Sequence, residues 1–270
     1  MRHILILLTI ICTIGLAQIE QPYPPLNLVT IPTAGTLPRG SFTLETLLIN
    51  NGGVVPRLSV GFTDNFSFGV SFGVQNLIGA NNPSINKPTP EVQIKYRVFD
   101  ESEKMPALVY GLDTQGRGIY HVTDSIITTH SVFDSTLNRY DQKAWGMYMV
   151  MSKNWNLVGN LGFHVGVNKS LSENSDGDND INVFIGIDKE LNRSFSLLIE
   201  YDAALNDNLS KGDYSLNEIT FGKGKGYLNA GIRWAMSSNL MLEINFNDIN
   251  QNTNSKYTNR EVKVMYSESF

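Results

Sequence analysis

The chain has 270 residues, a formal net charge of −5 and a single cysteine, Cys12, close to its start. Beyond that segment, disulfides, thiolate catalysis and cysteine-based zinc or iron–sulfur sites are therefore excluded, and the acidic balance argues against nucleic acid as a partner. After residue 17 no apolar run is long enough for a membrane helix, so any entry into a membrane must be by strands, whose backbone groups only a closed barrel can satisfy in lipid.

In chain order, Met1-Arg2-His3 is a short basic start, residues 4–16 are almost wholly apolar, and Gly15-Leu16-Ala17 sets small residues where a signal peptidase reads. We read residues 1–17 as a cleaved secretory signal peptide, since about 13 apolar residues are too few to span a bilayer as a helix. Its removal takes Arg2 with it, so the −5 becomes −6. Export without disulfides suits a Gram-negative envelope. Residues 18–40 hold Pro22, Pro24, Pro25, Pro32 and Pro38 and read as an extended leader.

From Ser41 to the end a two-residue period dominates. Residues 66–76 show it most clearly, with Phe66, Phe68, Val70, Phe72 and Val74 on one parity and Ser67, Gly69, Ser71, Gly73 and Gln75 on the other. Residues 91–99 repeat it. The same pattern predicts strands near 41–50, 55–62, 106–113, 143–152, 156–168, 181–188, 195–203, 227–235, 240–248 and 260–270. Twelve strands is an even number, as a single-chain bacterial barrel requires. The predicted fold is all-β: an antiparallel transmembrane barrel over residues 41–270, after the signal peptide and leader.

Two regularities separate this from a soluble sandwich. One parity carries no charge: examples are Leu58, Val60 and Phe62; Trp145, Met147, Met149 and Met151; and Leu240, Leu242, Ile244 and Phe246. The other parity holds Glu45, Arg57, Glu91, Lys95, Arg97, Asp113, His164, Asp188, Glu200, Asp202, Arg233, Glu243, Glu261 and Lys263, which are expected to face the lumen. On the lipid side a charge would cost roughly 2–4 kcal/mol at the midplane. The connections also alternate. Residues 63–65, 100–105, 153–155, 189–194 and 236–239 are short, while 77–89, 114–142, 169–180, 204–226 and 249–259 are long, as periplasmic turns and external loops should be. The brief Asn51-Gly52-Gly53-Val54 link is the exception. Trp145, Trp155, Trp234, Phe62 and Phe66 sit near strand ends, where aromatic belts meet headgroups. Tyr266 and the final Phe270 close an alternating strand in the manner of an outer-membrane assembly signal.

The catalytic inventory is thin. His121 and His130 fall in the longest loop and His164 on the polar parity, and no hydrolase or zinc motif occurs. A His–Ser pair assembled from separate strands stays open as the basis of a lipid hydrolase. Glu173, Asp176, Asp178 and Asp180 alternate in one loop and could supply oxygens to a calcium ion, although a solvated external loop explains them as well. Gly222-Lys223-Gly224-Lys225-Gly226 matches a phosphate loop only superficially, with no strand before it or helix after it, and its lysines could meet lipopolysaccharide phosphates. No cofactor and no metal is expected.

The most distinctive run is Pro106-Ala107-Leu108-Val109-Tyr110-Gly111-Leu112-Asp113-Thr114-Gln115-Gly116-Arg117-Gly118-Ile119-Tyr120. With Pro32-Thr33-Ala34-Gly35 through Gly40, the glycine-rich residues 59–79, and Tyr227-Leu228-Asn229-Ala230-Gly231-Ile232-Arg233-Trp234, it resembles the YjbH-like family of outer-membrane barrels. That resemblance implies a non-enzymatic barrel associated with exopolysaccharide production or export, and no catalytic residues. The expected partners are outer-membrane lipid and lipopolysaccharide, the assembly machinery and polysaccharide-export components. The alternative is a small diffusion channel of mild cation selectivity, narrowed by ion pairs across the lumen and by an inward fold of residues 114–142.

Overall fold

The structure is a computed structural model and describes residues 25–123, 126–127, 132–133, 137–174, 176, 178–208, 222–253 and 259–270. The expected signal peptide, residues 18–24 of the leader and His130 lie outside the described residues.

Twelve strands form one sheet: β1 (Ser41–Ile49), β2 (Gly53–Thr63), β3 (Phe66–Ser71), β4 (Glu91–Phe99), β5 (Ala107–Asp113), β6 (Gly146–Asn156), β7 (Asn160–Lys169), β8 (Asn182–Glu190), β9 (Phe195–Asp202), β10 (Tyr227–Ala235), β11 (Leu240–Asn247) and β12 (Asn259–Ser269). Each pairs antiparallel with its sequence neighbours, and β1 pairs with both β2 and β12. The sheet therefore closes on itself, leaving no barrel strand with a free edge.

Alternation sorts the side chains. Leu44, Leu58, Val70, Tyr110, Met147, Val165, Ile185, Ile199, Ile232, Ile244 and Val264 are all exposed on the outer surface. In water such a continuous apolar band would associate; wrapped in hydrocarbon it is the stable arrangement. This is the barrel of a bacterial outer-membrane protein. At the end bearing the short turns, which we call periplasmic, aromatic pairs form a girdle: Phe62–Phe66, Trp155–Phe163, Phe195–Trp234 and Phe42–Tyr266, with Phe270 stacked on Phe42.

Three local details depart from the periodicity. The strand expected over 66–76 stops at Ser71, and Val74 and Gln75 resume as a short bridge to Val54 and to Ser84–Ile85. The turn expected at 153–155 falls at 157–159, where Val158 (φ 49) and Gly159 (φ 88) take the left-handed conformations of a tight hairpin. Trp145, expected in the lipid belt, instead faces inward. A register shift at Gly146 (φ 64) interrupts the alternation, and Trp145 packs edge-on to Phe184 at 5.0 Å.

The leader is the largest departure. Residues 25–39 enter the lumen from the periplasmic end and turn back on themselves. Leu28 N–H donates to Ile31 O (3.0 Å), Thr33 N–H donates to Leu26 O (3.1 Å), and Asn27 bridges Pro32. Leu28, Ile31 and Leu37 have no exposed surface. The tip packs on Val109, Tyr148, Val150, Phe184 and Leu198, and Leu26 and Leu37 form a second cluster with Ala235, Met241 and Met265. The return limb is fixed at the periplasmic rim, where Thr36 Oγ1 donates to Asp64 O (2.8 Å) and Gly40 N–H to Gly61 O (2.9 Å).

Candidate functional site

The lumen wall meets the hairpin with donors and acceptors in register. Five successive hairpin carbonyls each take a hydrogen bond from a different side chain. Lys95 donates to Leu26 O, Arg233 to Asn27 O (2.9 Å), Lys263 to Leu28 O (3.2 Å), Arg117 to Val29 O (2.8 Å) and Trp145 to Thr30 O (3.1 Å). Three successive N–H groups converge on one carboxylate. Val29 (2.9 Å), Thr30 (2.8 Å) and Ile31 (3.2 Å) all donate to Glu200, which also receives Thr30 Oγ1 and Asn229 Nδ2. Such a run of amides is a nest for an anion, here filled by the barrel's own acid. Beside the hairpin remains a cavity of about 70 Å³ lined by Thr30, Glu45, Arg57, Trp145 and Lys263 among others, room for a few waters.

The charged residues of the inward parity point into this interior and are mostly paired. Arg57 bonds Asp113 (3.1 Å) and faces Glu45 across the β1–β2 ladder. Glu243 is shared by Arg233 and Lys263 (both 2.7 Å), and Glu261 is met by Arg117. Glu91 takes Lys87 (2.8 Å) and Tyr140 (3.1 Å). Asp202 accepts from Asn182 (2.6 Å), and Arg97 reaches Thr36 and Asp100. Among its described residues the long loop contributes inward through both ends: Arg117 reaches Glu261 and Tyr140 reaches Glu91, and Gln115 and Gln142 line the cavity.

His164 belongs to a chain of three. Ser152 Oγ lies 2.7 Å from His164 Nδ1, and His164 Nε2 lies 2.7 Å from Asp188 Oδ1. The residue types and the order of the bonds are those of a serine-hydrolase triad. Asp188 takes Nε2–H, which leaves Nδ1 to accept the Ser152 hydroxyl hydrogen, and Ala34 N–H donates to the same Oγ (2.8 Å). The chain ends inside the barrel, on the hairpin, and not on the lipid face.

At the external end the acidic loop is not a solvated one. Glu173, Asp176 and Asp178 are buried and only Asp180 is exposed. Among the described residues no group of side chains is arranged for a metal ion. Asp176 is occupied by Arg139 (2.6 Å) and Lys143 (2.7 Å), and Arg139 also binds Asp207 (2.8 Å). The place expected for calcium is thus filled by side-chain cations that join three external loops. Burial pushes the Glu173 carboxyl up to about 7 although Ala144 N–H donates to it. Burial also raises Asp207, by more than the Arg139 hydrogen bond lowers it. In the Gly222–Gly226 run, the N–H groups of Lys223 and Lys225 already donate to Asn252 Oδ1 (3.0 and 2.8 Å), so they form no phosphate cradle.

Tyr266 and Phe270, expected as an assembly signal, are exposed at the periplasmic seam, with Phe270 N–H donating to Gly40 O (2.8 Å). Sequence reasoning missed Ser152, Arg117, Arg139 and the hairpin itself. The hairpin had one signal: Val109, Val150, Phe184 and Leu198 place apolar side chains on the parity assigned to a charged lumen, which asks for an apolar occupant.

No family model and no curated protein matches the chain. Among solved structures it is similar to a KdgM porin, at 11% identity over 85% of this chain and 99% of that one, with a TM-score of 0.47. A NanC porin follows at 8% identity over 85% and 99%, with a TM-score of 0.43. The outer membrane channel DcaP of Acinetobacter baumannii gives 11% identity over 85% and 95%, with a TM-score of 0.28.

Proposed function

We propose that this protein is a solute channel of the outer membrane held shut by its own N-terminal hairpin, and that it has no enzymatic activity. The observation that carries this reading is the seat of residues 25–39. Five carbonyls and three amides of the hairpin tip are matched by wall groups on several strands and a loop, with its aliphatic side chains in a fitted apolar floor. A segment retained only for stability would not need a lumen lined with ionised side chains, whose desolvation is costly. Those side chains suit a passage that holds water once the hairpin leaves. Acids outnumber bases on the wall, so the open state is a small conductance of mild cation preference.

Ser152, His164 and Asp188 act in this reading as a latch on the return limb. Phospholipid turnover no greater than in protein-free vesicles is the expected result, and turnover that His164→Ala abolishes would restore the hydrolase alternative. Lipid and lipopolysaccharide surround the apolar exterior, and the assembly machinery reads Tyr266 and Phe270. The exopolysaccharide association rests on the family resemblance alone.

The test is recording in planar bilayers. Full-length protein should stay silent or flicker, and a variant lacking residues 25–39 should open in discrete steps. Large steady openings of the full-length chain, or silence of a correctly folded deletion, would overturn the proposal.

A further inference from the structure

The hairpin shows what chemistry the lumen recognises. We infer that the open channel binds and passes oligopeptides with small aliphatic side chains, and that residues 25–34 occupy their site as a built-in surrogate. This inference rests on the channel reading above and goes beyond it by naming the class of solute.

Three observations point the same way. First, the wall reads backbone. Arg233, Lys263, Arg117 and Trp145 donate to the carbonyls of Asn27, Leu28, Val29 and Thr30 in turn, one donor per residue. Carbonyls spaced by a peptide repeat are the feature those donors share, since the side chains they pass differ in every case. Second, Glu200 accepts from the N–H groups of Val29, Thr30 and Ile31 together. An acid placed to collect three successive amide hydrogens is matched to the repeat of a peptide backbone. Third, the floor is aliphatic. Leu28 and Ile31 lie on Val109, Val150 and Leu198, and at Gly186 a Cβ would come within 2.5 Å of both Ile31 Cδ1 and Leu28 Cδ1. The wall gives up a side chain there to admit a branched aliphatic group. A solute that fits replaces these bonds as a set.

The test uses the variant lacking residues 25–39, reconstituted in planar bilayers, with the synthetic peptide Leu-Asn-Leu-Val-Thr-Ile-Pro-Thr as probe. Its controls are the same peptide N-methylated at its Val, the Thr after it and Ile, and a neutral hexasaccharide. The peptide should interrupt the current at concentrations at least tenfold below either control, and Glu200→Ala should erase most of that advantage. Equal block by all three probes overturns the inference and leaves the channel reading intact, whereas a folded variant that never conducts overturns the channel reading itself. Should the deletion fail to give the unboiled mobility shift of a folded barrel, the full-length chain carrying Leu28→Asp and Ile31→Asp, whose hairpin no longer fits the apolar floor while the wall is unchanged, carries the same comparison.

Discussion

Arg139 holds its guanidinium between two carboxylates with none of its surface exposed. Burial alone would lower its pKa, but the Asp207 and Asp176 carboxylates more than reverse this and keep it charged. Removing one partner of such a buried cluster leaves uncompensated charge at a cost of about 3–5 kcal/mol. Arg139→Ala should therefore free the external loops without unfolding the barrel: protease should cut near Lys143 and Lys169 while unboiled mobility on gels is retained. Glu173 in the same cluster has a folded value of about 7 against an ordinary 4.5. A raised acid favours the docked loop below its ordinary value, and that contribution is lost as pH rises through about 7. Loop docking should weaken between pH 5 and 8.5 by on the order of 2–3 kcal/mol at most, read as faster cleavage by a protease active at both pH values. Glu173→Gln should remove most of the difference; an undiminished pH effect in that variant would assign it elsewhere. At this scale the sequence told only part of the story. The alternate acids of the loop were visible, but their partner Arg139 lies more than thirty positions away and contacts them only after three loops converge.

Strands were the most legible elements, because a two-sided environment imposes a period of two. The wall between lipid and ionised lumen makes that contrast sharp, and all twelve spans emerge near their predicted places. Errors arose where backbone geometry overrides the pattern: the turn residues Val158 and Gly159, and the register shift beside Gly146 that turned Trp145 inward. Residues 25–39 could not be read in this way. They form neither a helix nor a long strand, and their bonds go to groups scattered over the wall, so no local period encodes them. Glycine on the wall opposite gives the element its test. Gly186→Val places a branched side chain where Leu28 and Ile31 now sit. Overpacking of this kind costs about 1–3 kcal/mol, and the hairpin, which is not part of the barrel ladders, is the part that yields. The variant should show a leak current absent from the parent, with its strand content by circular dichroism unchanged. An unaltered silent channel would mean that the tip repacks without leaving.

For the whole molecule, the hairpin is a strut as well as a stopper. It links β4 through Lys95, β6 through Ser152, β9 through Glu200, β10 through Arg233 and β12 through Lys263. These strands lie on different sides of the closed sheet, so the hairpin ties walls that the ladders join only around the circumference. The ladders satisfy the backbone by themselves, and the closed barrel should therefore survive loss of the hairpin. What it loses is a set of cross-lumen bonds and the burial of Leu28, Val29, Ile31 and Leu37, partly offset by rehydration of the freed wall charges and by the regained entropy of the segment. Heating unboiled samples through a temperature series gives the readout. The deletion of residues 25–39 should convert to the slow-migrating unfolded form several degrees below the full-length chain, with about 2–4 °C expected per kcal/mol of net loss. A barrel equally heat-resistant with and without the hairpin would show that in the membrane the segment does not brace the walls, and the seat described for it would then have to be vacated at rest.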